Sequence, residues 1–193
     1  MPERHPPIEL RGLTLADLER LAGERRLPPV DHWDPPFCGH SGMRIARDGT
    51  WYHQGSPIRR PAMVRLFSTV LRREADGRHM LVTPVEKLQI DVDVTAFRAI
   101  EMTSEGKGRE RRIGLRLDSG DVVIVGADQP LRVVATPDGP SPRVLVRHGL
   151  EAELVRSLYY ELAELALAEG EGEGEAAPGV WSSGLFFSLE EPK

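Results

Sequence analysis

The chain has 193 residues, of which 40% are hydrophobic, and a formal net charge of −5. This length suits one domain or two small ones that share an interface, and the apolar content is ample for a core. No apolar run approaches the ~20 residues that a membrane-spanning helix needs, and the N-terminus lacks the apolar core of a secretory signal. The single cysteine, Cys38, cannot form an internal disulfide, which fits a reducing compartment. We therefore expect a cytoplasmic globular protein without a membrane span.

Charge is distributed unevenly along the chain. Residues 43–90 contain nine Lys and Arg against four Asp and Glu, a net charge of +5, whereas residues 161–193 contain one against eight, a net charge of −7. This asymmetry would suit an anionic ligand held by the basic half or a contact between the two segments, while two solvated faces are the simpler interpretation. The overall acidity and the lack of a recognised binding motif argue against a nucleic acid partner.

The N-terminal part contains a short helix, a loop and a hairpin. Leucines three residues apart predict the helix over Leu13–Leu21. Residues 30–42 are so rich in Pro and Gly that we predict an irregular loop. Alternating residues on both sides of Asp48-Gly49 then predict a β-hairpin with strands over Met43–Arg47 and Thr50–His53.

A central amphipathic helix is predicted after the hairpin. Pro61 suits its first turn, and we expect the Asp76-Gly77 turn to end it. Apolar residues recur at steps of three and four and should form its buried face: Met63, Leu66, Phe67, Val70 and Leu71. Apolar and β-branched runs then predict two strands, His79–Thr83 and Val85–Ile90, separated by Pro84.

From Val94 onward the pattern is strand after strand. Short β-rich runs separated by turns predict an antiparallel meander that curls on itself, with strands over Phe97–Thr103, Arg112–Leu117, Asp121–Val125, Leu131–Thr136 and Arg143–Arg147. A long helix is predicted from Leu150 to about Ala168. Residues 169–179 are of low complexity and are predicted to be mobile, whereas the apolar residues within 181–189 should return to dock, as an edge strand.

Together these elements predict an α+β protein with two related subdomains of antiparallel strands and helices. The first subdomain, residues 1–92, comprises a helix, a loop and a hairpin-helix-hairpin unit. The second, residues 93–193, comprises the meander, the long helix over residues 150–168 and the docked C-terminal tail. Each half is a set of hairpins joined to one long amphipathic helix, which would allow a duplicated motif.

Several short patterns also occur in a fixed order along the chain. They are His32-Trp33, Cys38-Gly39, DGTWYHQGSPIR at 48–59, MVRLF-S-VLRRE-DG at 63–77, LVTPVEKLQI-V at 81–92, R-H-GLEA-L-R near the last helix and VWSSG-FFSL at the end. In order and spacing they resemble the uncharacterised bacterial family known as domain of unknown function 1285, over residues 30–190.

The resemblance implies two α+β halves that share a related motif. It implies that the second half is loosely similar to pleckstrin-homology-like barrels closed by a C-terminal helix, and that a ligand binds between the halves in a signalling or regulatory role. Where the family has a proline-containing turn between the halves, this chain has Asp91–Phe97 without a proline.

An anion-binding site is predicted around the start of the central helix. Arg59 and Arg60 precede a helix N-terminus, where free N–H groups and the helix dipole favour anions and arginine adds bidentate contacts. The predicted ligand-binding residues are Arg59, Arg60, Thr83, Glu86 and Lys87, with His32 and Trp33 supplied by the preceding loop. The structural alternative is that Glu86 only pairs with Arg59 or Arg60 and joins the helix to the sheet.

The loop before the hairpin also carries metal-binding and nucleophilic groups. His32, Cys38 and His40 have the side chains that zinc binds, with His53 or Asp34 as a fourth ligand, but their spacing matches no common zinc pattern. Cys38 beside a histidine also resembles a nucleophile pair, although no oxyanion donors can be identified. We therefore predict no metal and no other cofactor.

The leading functional hypothesis is a non-enzymatic ligand-binding or regulatory module with a small anionic ligand between its subdomains. The first alternative is a protein-interaction domain of barrel type, in which a sheet edge or the last helix contacts a protein partner. The second alternative is an enzyme that uses Cys38 and a histidine of the same loop.

Overall fold

The computed structural model describes residues 27–173 and 178–190, with side-chain environments for residues 27–168 and 178–190. The predicted helix over Leu13–Leu21 lies outside the described residues. Two sheet-rich subdomains of six mostly antiparallel strands, one of them curled into a half-barrel, and two helices form the fold.

The first subdomain is a six-stranded sheet crossed by one helix. After a 3-10 turn at Val30–His32, its elements are β1 (Phe37–Ile45), β2 (Trp51–His53), β3 (Ser56–Pro57), α1 (Pro61–Thr69), β4 (Leu71–Arg73), β5 (His79–Val82) and β6 (Lys87–Val92). The strand order is β3-β2-β1-β6-β5-β4. β1 and β6 pair in parallel, and the other neighbours pair antiparallel.

The second subdomain is another six-stranded sheet, followed by the long helix and a hairpin. Its elements are β7 (Phe97–Glu105), a 3-10 turn at Gly108–Glu110, β8 (Arg112–Leu117), β9 (Val122–Ile124), β10 (Leu131–Thr136), β11 (Gly139–Arg147), β12 (Leu150–Leu154), α2 (Arg156–Glu173), β13 (Gly179–Ser182) and β14 (Leu185–Ser188). The strand order is β10-β11-β12-β7-β8-β9, and β7 and β12 pair in parallel.

The two sheets have the same strand order. In each, three antiparallel strands are followed by three more, and the first and sixth strands pair in parallel at the centre. The predicted meander is therefore confirmed for β7, β8 and β9 and for β10 and β11, and it is wrong between β9 and β10, which lie at opposite edges of the second sheet. The finer likeness of this sheet to a pleckstrin-homology-like barrel stays a prediction.

One hydrophobic core runs through both subdomains. Ile45 and Leu71 of the first sheet belong to the same buried cluster as Phe97, Leu117 and Leu150 of the second. The backbone also joins the two sheets, because the N–H of Arg73 donates to the carbonyl of His148 at 3.0 Å. The subdomains are therefore packed against each other rather than tethered.

The central helix is shorter than predicted, and its buried face is different. α1 ends at Thr69, and Leu71, predicted to be helical, is a buried residue of β4 that pairs with Leu81. The hydroxyl groups of Ser68 and Thr69 donate to carbonyls three residues earlier, which stabilises the last turn. Val64, Phe67 and Ser68 face the body, whereas Met63 and Leu66, predicted to be buried, are exposed.

Two other predicted boundaries are wrong. Residues 37–42, predicted as loop, extend β1, where Gly39 and Gly42 adopt positive φ values beside shifts in register. Leu150–Leu154, predicted as the start of the long helix, is strand β12, with burial that alternates along it. The helix begins at Arg156 and continues to Glu173, through part of the stretch predicted to be mobile.

The C-terminal segment docks as a hairpin rather than as an edge strand. β13 and β14 form a separate two-stranded sheet that packs against α2. Val180, Trp181 and Phe187 are buried, and the Ser182 hydroxyl donates to the carbonyl of Val125 at 2.7 Å. The apolar residues at the end of the chain thus cover the second subdomain.

Candidate functional site

The structure places Lys87 in an ion-pair network that anchors the N-terminal loop. Its ammonium group lies 3.5 Å from Glu74 and 3.9 Å from Asp34. Arg72 donates to Glu74 at 2.7 Å and to the carbonyl of Trp33 at 2.8 Å. The hydrogen bond from Arg72 lowers the pKa of the Glu74 carboxyl most, and the charges of Arg72 and Lys87 lower it further. Lys87 and Trp33 are therefore held by contacts within the first subdomain.

Thr83 and Glu86 form the turn between β5 and β6. The Thr83 hydroxyl accepts a hydrogen bond from the N–H of Glu86 at 3.2 Å, and the N–H of Thr83 donates to the carbonyl of Glu86 at 2.9 Å. The Glu86 side chain is exposed. Among the described ion pairs, none joins Glu86 to Arg59 or Arg60, so the structural alternative is not seen either.

Arg59 and Arg60 are exposed between β3 and α1, with Arg60 as the N-cap residue of the helix. β3 is an edge strand, separated from β6 and Lys87 by β2 and β1. At ~4.8 Å between neighbouring strands, this separation is about 14 Å. The structure therefore divides the predicted set between two places instead of bringing it together.

The weak candidates for metal ligands and for a nucleophile lie in β1 and in the 3-10 turn before it. The exposed Cys38 thiol donates to the carbonyl of Pro36, while His40 accepts the N–H of Gly42 through Nδ1 and lies 3.2 Å from Asp91 through Nε2. His32 lies in the 3-10 turn. In residues 27–173 and 178–190, no group of three or more His, Cys, Asp or Glu side chains could hold a metal ion.

A cleft of about 730 Å³ lies between the two subdomains, at the opposite end of β1 from Lys87. The first subdomain contributes Arg47 and Asp48 of the β1–β2 turn. The second contributes Arg98 of β7, the β10–β11 turn and the junction between β12 and α2, namely Thr136, residues 138–142, residues 153–156, Tyr159 and Tyr160. A volume of this size lies within the range of small-molecule sites.

The β1–β2 turn is fitted closely against the second subdomain. Gly49 has φ of +85°, and a Cβ atom there would lie 2.7 Å from Oδ2 of Asp118. Arg98 donates to the carbonyl of Asp48 at 2.7 Å, and its N–H donates to Asp118 at 3.1 Å. Although Asp118 keeps some contact with solvent, desolvation by the surrounding chain raises its pKa to about 6. Glycine is the residue that tolerates both the positive φ at position 49 and the close approach of Asp118.

An exposed ion pair joins the two subdomains across the cleft. Nη1 of Arg47 lies 2.6 Å from Oδ2 of Asp138, so the β1–β2 turn is linked to the β10–β11 turn. The hydrogen bond and charge of Asp138 raise the pKa of Arg47 above its ordinary value. Because both side chains are more than half exposed, an anion entering the cleft could replace Asp138 on Arg47 at little cost.

The remaining wall combines aromatic, hydroxyl and charged groups. Nε of Arg156 donates to the hydroxyl of Tyr160 at 3.3 Å, and the rings of Tyr159 and Tyr160 lie 6.2 Å apart. The Ser141 hydroxyl donates to Glu153 at 2.5 Å, so this carboxylate is already partnered. Arginines that keep free donors, beside partnered carboxylates, can bind an anion.

Sequence reasoning did not find this cleft. Arg47, Arg98 and Arg156 are separated by more than fifty residues each and belong to no common motif. A weak signal was the pair of turns, Asp48-Gly49 and residues 137–140, which the fold places opposite each other. Their approach depends on the packing of the two sheets, which no local pattern specifies.

The two six-stranded sheets have the same strand order, they pack together, and both line the cleft. These features define an α+β protein with two related subdomains. The model of the DUF1285 N-terminal domain, a domain of unknown function, matches residues 28–95, and that of the DUF1285 C-terminal domain matches residues 96–189. The chain therefore belongs to the DUF1285 family, as the sequence patterns predicted.

Two solved structures are similar to the chain. A DUF1285 family protein from Silicibacter pomeroyi DSS-3 is 44% identical, with 90% of this chain and 94% of that chain covered and a TM-score of 0.78. A DUF1285 family protein from Shewanella baltica OS155 is 20% identical, with 64% of this chain and 91% of that chain covered and a TM-score of 0.50, a likeness of fold alone. A search of curated proteins gives no match.

No helix within residues 27–173 and 178–190 combines the length and the apolar character that crossing a membrane requires.

Proposed function

We propose that the protein is a regulatory module that binds a small anionic ligand in the cleft between its subdomains. The observation that carries this proposal is the convergence of Arg47, Arg98 and Arg156, from three distant parts of the chain, on one cleft of about 730 Å³. The general location agrees with the sequence hypothesis, but the lining residues are different.

The cleft is lined by three arginines and three carboxylates, and one of these carboxylates, Asp48, accepts the N–H of Thr50. Asp138 is paired with Arg47, and Glu153 accepts the hydrogen bond of Ser141. Arg156 has no ion pair with any residue of the described part of the chain, and only its Nε is used by Tyr160. Free guanidinium donors at the cleft wall are thus the groups that a carboxylate or phosphate would contact.

A regulatory role follows from where the ligand would sit. The cleft touches the turn of one subdomain and two connections of the other, so a ligand bound there would add contacts between the two sheets. A ligand that prefers one arrangement of the subdomains shifts the protein toward that arrangement. This supports a binding module and involves no catalytic step.

Thermal unfolding against nucleotides, phosphorylated metabolites, carboxylic acids and amino acids tests the proposal. A ligand at 100 times its dissociation constant stabilises by about 2.7 kcal/mol, which should raise the Tm of a chain of this size by roughly 5 to 10 °C. A flat response to every anion in the panel would contradict the proposed function.

Two matched arginine variants then locate the site. Arg156→Gln should abolish the shift, whereas Arg59→Gln, also at an exposed arginine without an ion pair in the described residues, should keep it. If the shift instead survives Arg156→Gln and disappears in Arg59→Gln or Lys87→Gln, the ligand binds at the residues predicted from the sequence and the cleft is the wrong site.

A further inference from the structure

The outer face of α1 is apolar and basic, and no described residue covers it. Leu66 is 63% exposed and Met63 is 38% exposed, although both are large apolar residues. Arg59, Arg60 and Arg65 beside them are exposed and have no ion pair in the part of the chain that the structure describes. This combination is typical of a surface that binds an acidic, partly apolar partner.

The outer face of α2 has the opposite charge. Leu167 is 69% exposed and Tyr160 is 55% exposed. Glu161 and Glu164 are exposed near them, and neither has an ion pair within the described residues. Because residues 160, 164 and 167 follow helical spacing, an apolar and acidic stripe runs along this helix.

The two faces do not meet within one chain. α2 packs on β13 and β7 of the second subdomain, whereas α1 joins β3 to β4 of the first sheet. Among the described ion pairs, none connects an arginine of α1 to a glutamate of α2. The uneven charge of the sequence is therefore not neutralised inside the described part of the molecule.

We propose that two copies of this chain associate, with the basic face of α1 on one copy against the acidic face of α2 on the other. Each face supplies exposed apolar residues for the centre and charged residues for the rim, basic on α1 and acidic at Glu161 and Glu164 of α2, which is the usual arrangement of a protein interface. Two copies related by a two-fold axis form this contact twice, since α1 of each copy then meets α2 of the other.

A second copy of the chain would cover more of the two exposed helix faces than an anionic membrane would. A lipid surface would attract Arg59, Arg60 and Arg65 and bury Leu66, but the α2 face would remain exposed and would be repelled by acidic lipids. A second copy uses both faces at once. The contact is small and partly ionic, so we expect it to be weak and sensitive to salt.

Sedimentation equilibrium of the full chain over a range of concentrations tests the proposal. At low ionic strength the weight-average mass should rise with concentration, and 1 M salt should reduce it, because the Debye length is then about 3 Å. A mass that stays at that of one chain throughout, at low salt, would overturn the proposal.

Charge-reversal variants identify the faces. Arg59→Glu with Arg60→Glu and Arg65→Glu, and separately Glu161→Lys with Glu164→Lys, should each weaken self-association by about tenfold or more. An equimolar mixture of the two variants should restore association, since each acidic α1 then meets a basic α2. Restoration also shows that both variants are folded, and its failure would contradict this arrangement of the helices.

Leu66→Asp and Leu185→Asp form a matched pair for the apolar part. Leu185 is also exposed, at 42%, but lies on the C-terminal hairpin outside both faces. Self-association should be lost in Leu66→Asp and kept in Leu185→Asp. If Leu66→Asp instead abolishes binding to phosphatidylserine vesicles while self-association is unchanged, α1 is a membrane-binding face and the proposal is wrong.

Discussion

Arg147 forms a largely buried ion pair within the second subdomain and a hydrogen bond to the first. Its guanidinium lies 3.0 Å from Asp121, and the two side chains are 11% and 14% exposed. It also donates to the carbonyl of Ser68, in the last turn of α1, at 3.1 Å. The ring of Phe97 lies 4.9 Å from the guanidinium carbon, which adds a cation–π contact. Replacing Arg147 with methionine keeps much of its volume and removes all three interactions.

The loss of unfolding free energy in Arg147→Met can be worked out from Asp121, the charged group that stays behind. Removing one partner of a buried ion pair costs about 3 to 5 kcal/mol, because the other charge stays buried. Asp121 keeps the hydrogen bond from the Ser119 hydroxyl, at 2.9 Å, so we expect the lower value, about 3 kcal/mol. For a chain of this size the Tm should fall by roughly 6 to 12 °C.

Thermal unfolding of the Arg147→Met, Asp121→Asn and double variants checks this reasoning. The double variant should cost less than the sum of the single variants by about 2 kcal/mol, because neither charge is then left alone. Arg44→Met is the control, since Arg44 pairs with Asp93 on the surface and its loss should hardly change the Tm. Additive costs, or a Tm for Arg147→Met within about 2 °C of the unmodified protein, would refute the argument.

Three further variants test titration and packing. Burial and the charge of Arg73 lower the pKa of His79 to about 4. The imidazole is therefore protonated at a higher pH in the unfolded chain than in the folded one, so stability is lost as pH falls from 6.5 to about 4. His79→Gln should lose less stability over that pH range, as measured by urea unfolding. Asp118 is exposed at its surface, but desolvation by the neighbouring chain raises its pKa to about 6, so stability falls as pH rises from 3.8 to about 6. Asp118→Asn should therefore be more stable than the unmodified protein above pH 6 but not below pH 3.8. A Cβ at Gly179 would lie 2.6 Å from the carbonyl of Phe187, so Gly179→Ala should loosen the C-terminal hairpin, cost on the order of 2 kcal/mol and change the tryptophan fluorescence.

Local patterns predicted most of the strands. The hairpin around Asp48-Gly49 forms, with Met43 opposite His53 and Ile45 opposite Trp51, although its strands end at Ile45 and begin at Trp51 instead of at Arg47 and Thr50. Strands β8 and β10 have the predicted bounds. These features depend on turn residues and on alternation within a few positions, both of which are visible in the sequence.

The prediction at Leu150–Leu154 failed because two periods coexist there. Leu150, Ala152 and Leu154 alternate as in a strand, whereas Leu150 and Leu154 also fit the helical series that continues to Leu158. Pairing with β11 on one side and β7 on the other decides the outcome in favour of the strand. No window of the sequence contains those partners, so the choice depends on tertiary structure.

The candidate site could not be predicted for a similar reason. The sequence hypothesis grouped Arg59 with Lys87 around the start of the central helix, but β1 and β2 lie between β3, which precedes Arg59, and β6, which contains Lys87. Arg47 meets Asp138 across the cleft although ninety-one positions separate them. Only the packing of the two sheets brings these turns together, and a single sequence carries no signal for that packing.

The repeated strand order explains why α1 presents an apolar face that no described residue covers. In the first sheet the helix connects the third and fourth strands, and within residues 27–173 and 178–190 it is held on its inner side, where Phe67 stacks on Trp51 with ring centres 6.3 Å apart. In the second sheet the same connection is short, at residues 125–130, and the helix follows the sixth strand instead. There the C-terminal hairpin packs against it. A nine-residue helix gains its stability from packing, and the exposed side of α1 packs against no residue of the described ranges, so its apolar residues fit the proposed contact with a second copy.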